Sequence, residues 1–308
     1  MSSEGLPLGT APAEPDRHLL GVALVVASTL AFSLAGVLTK AIAADPLTIV
    51  CWRGLVGGLL VVGYAGWLRR REPLGRRFRL GWQGWLLASV GSLASVAFIF
   101  SFKLTYVANV AIIYSTAPFM AAALAWWLLR ERFRTQTAVA AAISVAGILV
   151  VFAGGLGTGS LAGNAMALLM TLGSALYMVL IRRFRDSPVV LAGGVSALQL
   201  FVVGWLVTDP FAVTRHDALL LVLFGLSFAV ALVLWTEGTR LIPASESGFL
   251  GTAETPFAML LAWLFLAELP PLASFLGAGI VLAAVIGHAL SDLSHTRARR
   301  RMASSESA

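Results

Sequence analysis

A single cysteine, Cys51, excludes any disulfide within this 308-residue chain, and its four histidines are scattered without metal-ligand spacing. Charge is the larger shortage. Only 12% of the residues are Asp, Glu, Lys or Arg, against about 25% in an ordinary soluble domain, and no long polar tract remains from which a soluble domain could be built. With 58% hydrophobic residues and a mean hydropathy of +0.87, the chain would present water with an intolerable surface. An enzyme is not expected, since neither a paired-carboxylate context nor a His, Asp and Cys constellation is present. The net charge of +7 does not indicate nucleic acid. The arginines lie in short loops beside apolar runs, with no zinc-ligand spacing or free basic segment, and their expected partner is membrane lipid.

What the chain has is apolar length. Ten runs divide it: Leu19 to Lys40, Pro46 to Leu68, Leu80 to Phe102, Tyr106 to Leu129, Thr137 to Gly154, Ser160 to Ile181, Pro188 to Thr208, Asp217 to Thr236, Ala244 to Leu266 and Pro271 to Leu290. Each is 18 to 24 residues long, close to the roughly 20 that cross about 30 Å of hydrocarbon as helix. Helices satisfy their own backbone in lipid, and the runs lack the alternation of a membrane barrel. The expectation is an all-α polytopic membrane protein with ten transmembrane helices. Residues 1–18 and 291–308 read as disordered tails, and the Pro-rich start lacks a signal-peptide pattern, so the first helix is expected to be retained.

Basic residues set the topology. Arg17, Arg69 to Arg79, Arg130 to Arg134, Arg182 to Arg185, Arg240 and the tail arginines Arg297 to Arg301 fall on alternate gaps. Of the 22 basic residues, only Lys40, Lys103 and Arg215 fall on the other side, and Arg53 lies inside a run. Short loops with this bias stay in the cytoplasm, so both termini are expected there.

The halves of the chain match each other. "TYVANVAIIYSTAPFMAAALAWWLLRERF" from Thr105 lies beside "PASESGFLGTAETPFAMLLAWLFLAEL" from Pro243, with Pro118 over Pro256 at an offset of 138 residues. Glu131 and Glu268, near the ends of the two segments, miss each other by one position. Five crossings separate the copies, so equivalent helices run in opposite directions. Two inverted five-helix repeats, over 19–154 and 160–290, are expected, a recurrent plan in secondary transporters.

Residues that are costly in hydrocarbon mark the candidate site, since a central charge costs about 2.5–3.5 kcal/mol on the insertion scale. Arg53 either snorkels to the outer interface, binds an anionic substrate group, or pairs with a cavity glutamate. Glu254, mid-run and flanked by Gly251, Thr252 and Thr255, is placed to take a proton, attract a cation or pair with Arg53. Glu246 faces either the cavity or the interface. Tyr106, Asn109, Ile113 and Thr116 share a helix face. Asn109 suits a ligand or an interhelical hydrogen bond equally, while the Tyr114 ring is expected to stack on a ligand. Asn164 and Tyr177 are expected to serve packing and the interface. Pro118 and Pro256 each interrupt a helix mid-span, as hinges or as plain kinks. Gly54 and Gly58 mark a close helix approach. Tryptophans such as Trp82, Trp85, Trp126 and Trp127 read as interfacial anchors.

The segments "PLTIVCWRG" with Pro46 and Arg53, "APFMAAALAWWLLRERF", "GNAMALLMTLGSALYMVLIRR" and "ETPFAMLLAWLFLAELP", in this order and duplicated, resemble the EamA family of the drug/metabolite transporter superfamily. The resemblance runs from Leu19 to Leu290. It implies a bacterial inner-membrane permease with a central cavity between its repeats, exposed to each side in turn. The expected cargo is a small polar or amphipathic metabolite, and proton-coupled efflux is among the expected modes. No cofactor or metal is implied, and the protein is expected as a monomer or homodimer. Family sequences often carry Glu directly before the proline of the ninth run; here Thr255 intervenes before Pro256, turning Glu254 by roughly 100° about the helix. A membrane-embedded sensory or scaffold protein is the alternative reading.

Overall fold

Backbone groups in hydrocarbon must be paired within their own segment, and every apolar run forms helix. The computed structural model describes residues 14–71, 80–131, 135–156, 160–184 and 187–288. The first three helices are α1 (Glu14–Ala41), α2 (Pro46–Arg71) and α3 (Gly81–Leu104). The fourth run divides into α4 (Val107–Tyr114) and α5 (Ala117–Leu129), and α6 is Thr135–Gly155. Then come α7 (Leu161–Arg183), α8 (Val189–Val207) and α9 (Arg215–Leu241). The ninth run divides into α10 (Ala244–Gly251) and α11 (Glu254–Leu266), followed by the 17-residue α12 (Leu272–His288). Counting each divided run as one, nine spans among the described residues are long and apolar enough to cross a membrane, with α12 a shorter apolar helix. The chain is an all-α polytopic membrane protein.

Several boundaries differ from the sequence reading, with α9 running five residues past Thr236 to Leu241. Helix α1 begins at Glu14, so five residues assigned to the first tail belong to it, because Arg17 and His18 extend the helix beyond the apolar run. Runs four and nine are broken rather than bent. Pro118 and Pro256 have no N–H to donate to the carbonyls of Tyr114 and Thr252, and the backbone passes through short i→i+3 bonds at Thr116 and Ala253. Residues 1–13, Arg76, Arg77, Arg79 and the second tail lie outside the described residues.

The bundle interior mixes small residues, rich in Ala, Ser and Thr, with large ones such as Ile49, Ile112 and Phe224, while many large apolar side chains face outward. Leu206 is 77% exposed and Trp127 71%. A surface like this belongs in lipid, where close backbone approach replaces hydrophobic collapse. Trp82, Trp85 and Trp126 are exposed as well, as anchors would be. Helix α2 crosses α8 antiparallel, with Gly54 against the Ala197 carbonyl, Gly58 against Leu198 and Gly204 against Cys51. Helix α1 pairs antiparallel with α9, where Gly21 meets Gly238 and Ser28 Oγ donates to the Ala231 carbonyl at 2.8 Å. Helix α3 pairs the same way with α7, where Gly173 meets Ala94 and Gly163 meets Leu104.

The two broken helices end alike. Among the described residues only Arg130 and Ala267 are non-glycine with positive φ, at 54° and 51°, a conformation costing about 1–2 kcal/mol. Each is the C-cap of a 13-residue helix, and each precedes a glutamate, Glu131 or Glu268. Those glutamates donate their N–H to the carbonyls of Ala125 and Ala262 at 3.4 and 3.3 Å. The one-position mismatch in the sequence therefore lies at the break: Pro118 is the second residue of α5, and Pro256 the third of α11.

Candidate functional site

Glu254 opens α11, where the break exposes a fresh helix N-terminus whose dipole favours a carboxylate. It lines a narrow cleft of roughly 20 Å³, room for about one water, together with Ser33, Phe98, Tyr114 and Met170. Among the described residues the carboxylate has no hydrogen bond and no ion pair. The Glu254 carbonyl does, accepting from Ser33 Oγ at 3.0 Å. Tyr114 is the last residue of α4, so the two breaks supply one group each to a single cleft. Thr255 Oγ1 donates to the Ala111 carbonyl at 3.4 Å and ties α11 to α4 beside it.

Arg53 does not snorkel. It is 8% exposed, and its Nη1 donates to Ser95 Oγ at 2.6 Å. Its guanidinium carbon stands 4.4 Å from the centre of the Phe228 ring, 5.1 Å from Phe224 and 5.3 Å from Phe98. Three ring faces replace part of the lost hydration, yet Nε has no partner among the described residues. No ion pair joins Arg53 to Glu254. Phe98 separates them, lining the Glu254 cleft while stacking on Arg53. On the Arg53 side lies a second cavity, larger at about 200 Å³, lined also by Ser95, Tyr177, Gly193 and Ser196. Tyr177 and Gly193 lie near the ends of α7 and α8 that carry Arg182, Arg183 and Pro188, so this cavity reaches toward the arginine-rich face.

The other expected site residues lie elsewhere. Asn109 is buried between helices, its Nδ2 donating to Thr105 Oγ1 at 3.2 Å and to Asn164 Oδ1 at 3.1 Å, and it lines neither cavity. Glu246 sits in the first turn of α10, its Oε2 3.0 Å from His18 Nε2 of α1. Pro118 and Pro256 stand just past the breaks. Sequence reasoning missed Phe98 and Ser95, which look ordinary inside an apolar run, and treated Tyr177 as packing. It also gave no role to Lys40, whose Nζ lies 3.0 Å from Glu268 Oε2.

The EamA-like transporter family matches residues 19–153 and again residues 161–289. The chain belongs to that family. It is a multi-pass membrane protein of a transporter family rather than an enzyme family. It is similar to the uncharacterized transporter YetK of Bacillus subtilis (strain 168), with 25% identity over 211 residues; the match spans 63% of each chain. A solved crystal structure shares the fold at a TM-score of 0.60 with 20% identity, covering 89% of this EamA-like chain and 97% of the other.

Proposed function

We propose that this protein is a secondary transporter that moves a small polar or amphipathic metabolite across the bacterial inner membrane by alternating access, with proton-coupled efflux as its mode. Its two family-matched segments act as inverted five-helix repeats over 19–154 and 160–290, and the arginine-rich face with both termini lies in the cytoplasm. Support for the repeats comes from the recurring pairs, α1 with α9 and α7 with α3, and from the two broken helices that end in the same left-handed cap. The basic bias of the loops supports the orientation.

One observation carries the reading: Glu254, whose carboxylate has no partner among the described residues, lines a cleft to which both broken helices contribute. A carboxylate at such depth is costly unless it exchanges a proton or receives a ligand. In this mechanism Glu254 binds the coupling proton and Tyr114 stacks on the solute. Arg53 orients an anionic group from the far side of Phe98. Pro118 and Pro256 keep the breaks flexible. Asn109 and Glu246 serve the bundle, through Asn164 and His18. The test is uptake of a bacterial metabolite extract into proteoliposomes, followed by mass spectrometry with and without an imposed pH gradient. Gradient-dependent accumulation that Glu254→Gln abolishes is expected; undiminished accumulation in the variant rejects the coupling role, and none in the native protein rejects transport.

A further inference from the structure

At the face opposite the arginine clusters, Glu268 joins three elements. Its Oε1 accepts the N–H of Val107, the first residue of α4, at 2.7 Å, and its Oε2 meets Lys40, next to last in α1, at 3.0 Å. Lys40 also stands 5.7 Å from the centre of the Tyr106 ring. The Glu268 side chain is 9% exposed. Helix α4 is buried from Val107 through Ile113 and packs on α11. A helix start held in a closed membrane face needs such an acceptor, because no water reaches its orphan N–H groups.

The arginine-rich face repeats the parts but not the closure. Glu131 follows the left-handed cap of α5 as Glu268 follows that of α11, and Arg182 is next to last in α7 as Lys40 is in α1. Arg182 Nη1 donates to Glu131 Oε2 at 3.3 Å, yet the two side chains are 62% and 49% exposed. Among the described residues no hydrogen bond joins Glu131 to α10, and α10 makes no packing with α5 comparable to that of α4 on α11. Gly248 of α10 is exposed.

We infer that the hold of Glu268 on the start of α4 and a matching hold of Glu131 on the start of α10 are two catches of one gate, closed in turn, and that this structure has the first closed and the second open, with Glu131 resting on Arg182. In the opposite state α10 swings about Thr252 and Ala253 onto the end of α5, and Glu131 accepts a backbone N–H from the start of α10. Glu268 then releases Val107, and α4 turns away about Ser115 and Thr116. The inference rests on the alternating-access reading, but its test needs neither a substrate nor a proton gradient.

The reporter is Ala111→Cys, on α4 at the cleft, in a Cys51→Ala background. The full chain in vesicles is labelled by a membrane-impermeant maleimide from the face opposite the arginines. Glu268→Gln raises the labelling rate about tenfold, the shift set by one charge-assisted hydrogen bond; Lys40→Gln acts in the same direction. Glu131→Gln lowers it, and Glu131→Gln with Glu268→Gln together return it toward the parent value. Rates that move the same way in both sets, or in neither, overturn the inference. Opposite shifts in a protein that fails to transport leave the gate standing and sink only the transport reading.

Discussion

The α2–α8 crossing gives a prediction with a worked size. A Cβ on Gly54 would stand 2.9 Å from the Phe201 amide nitrogen and 3.0 Å from the Leu200 Cβ, and closer still to the Ala197 carbonyl. Ordinary contact begins at 3.4 Å. Two of these neighbours are backbone, which no rotamer change moves, so Gly54→Ala must push the helices apart by up to about one ångström, an overpacking that costs about 1–3 kcal/mol. Gly204 repeats the constraint from α8, its Cβ position lying 3.0 Å from both Cys51 Cα and the Leu47 carbonyl. Gly63, on the same α2, meets nothing within 4 Å. Gly63→Ala therefore gains about 0.5–1 kcal/mol of helix preference without a clash. Equilibrium unfolding of the purified variants in mixed micelles, followed by tryptophan fluorescence, measures both. Equal stabilities for the two alanine variants would refute the close crossing.

Two further substitutions separate binding from packing. Arg53→Lys keeps the charge but loses the planar group set against Phe98, Phe224 and Phe228, so thermal unfolding in detergent is expected to show a loss of about 1–2 kcal/mol. Metabolite uptake falls in the same variant. Asn164→Ala removes the acceptor shared by Thr105 and Asn109 and costs about 0.6–1.7 kcal/mol, the range for interhelical hydrogen bonds in membranes. Its uptake is unchanged in proteoliposomes, and a loss of uptake would return the cluster to the substrate path.

The spans were readable in the sequence because hydrocarbon leaves the backbone one economical choice, so apolar length alone located the helices. Gly54 and Gly58 were readable too, since small residues are what lets membrane helices touch. The breaks were readable only in part. Pro118 and Pro256 announced a bend, but the acceptor that satisfies the start of α4 is Glu268, 161 residues away in sequence. Arg130 and Ala267 gave no cue, because their left-handed caps fall to residues other than glycine. The choice between an outward and a cavity-facing Arg53 turned on rings from α3 and α9, which no reading of α2 alone contains. Glu254 was picked for its depth. Its place at the start of a new helix had no cue, since Pro256 stands one position deeper in α11 than Pro118 does in α5.

The most direct test of the central claim asks from which side the Arg53 cavity is reached. Gly193→Cys suits it, since a Cβ there has 4.0 Å to Leu232 and to the Tyr177 hydroxyl. With Cys51 replaced by alanine, a membrane-impermeant maleimide is applied to inside-out and right-side-out vesicles. The account predicts labelling several-fold faster from the arginine-rich face. Equal rates from both faces, or faster labelling from the face where Glu268 caps α4, would contradict it.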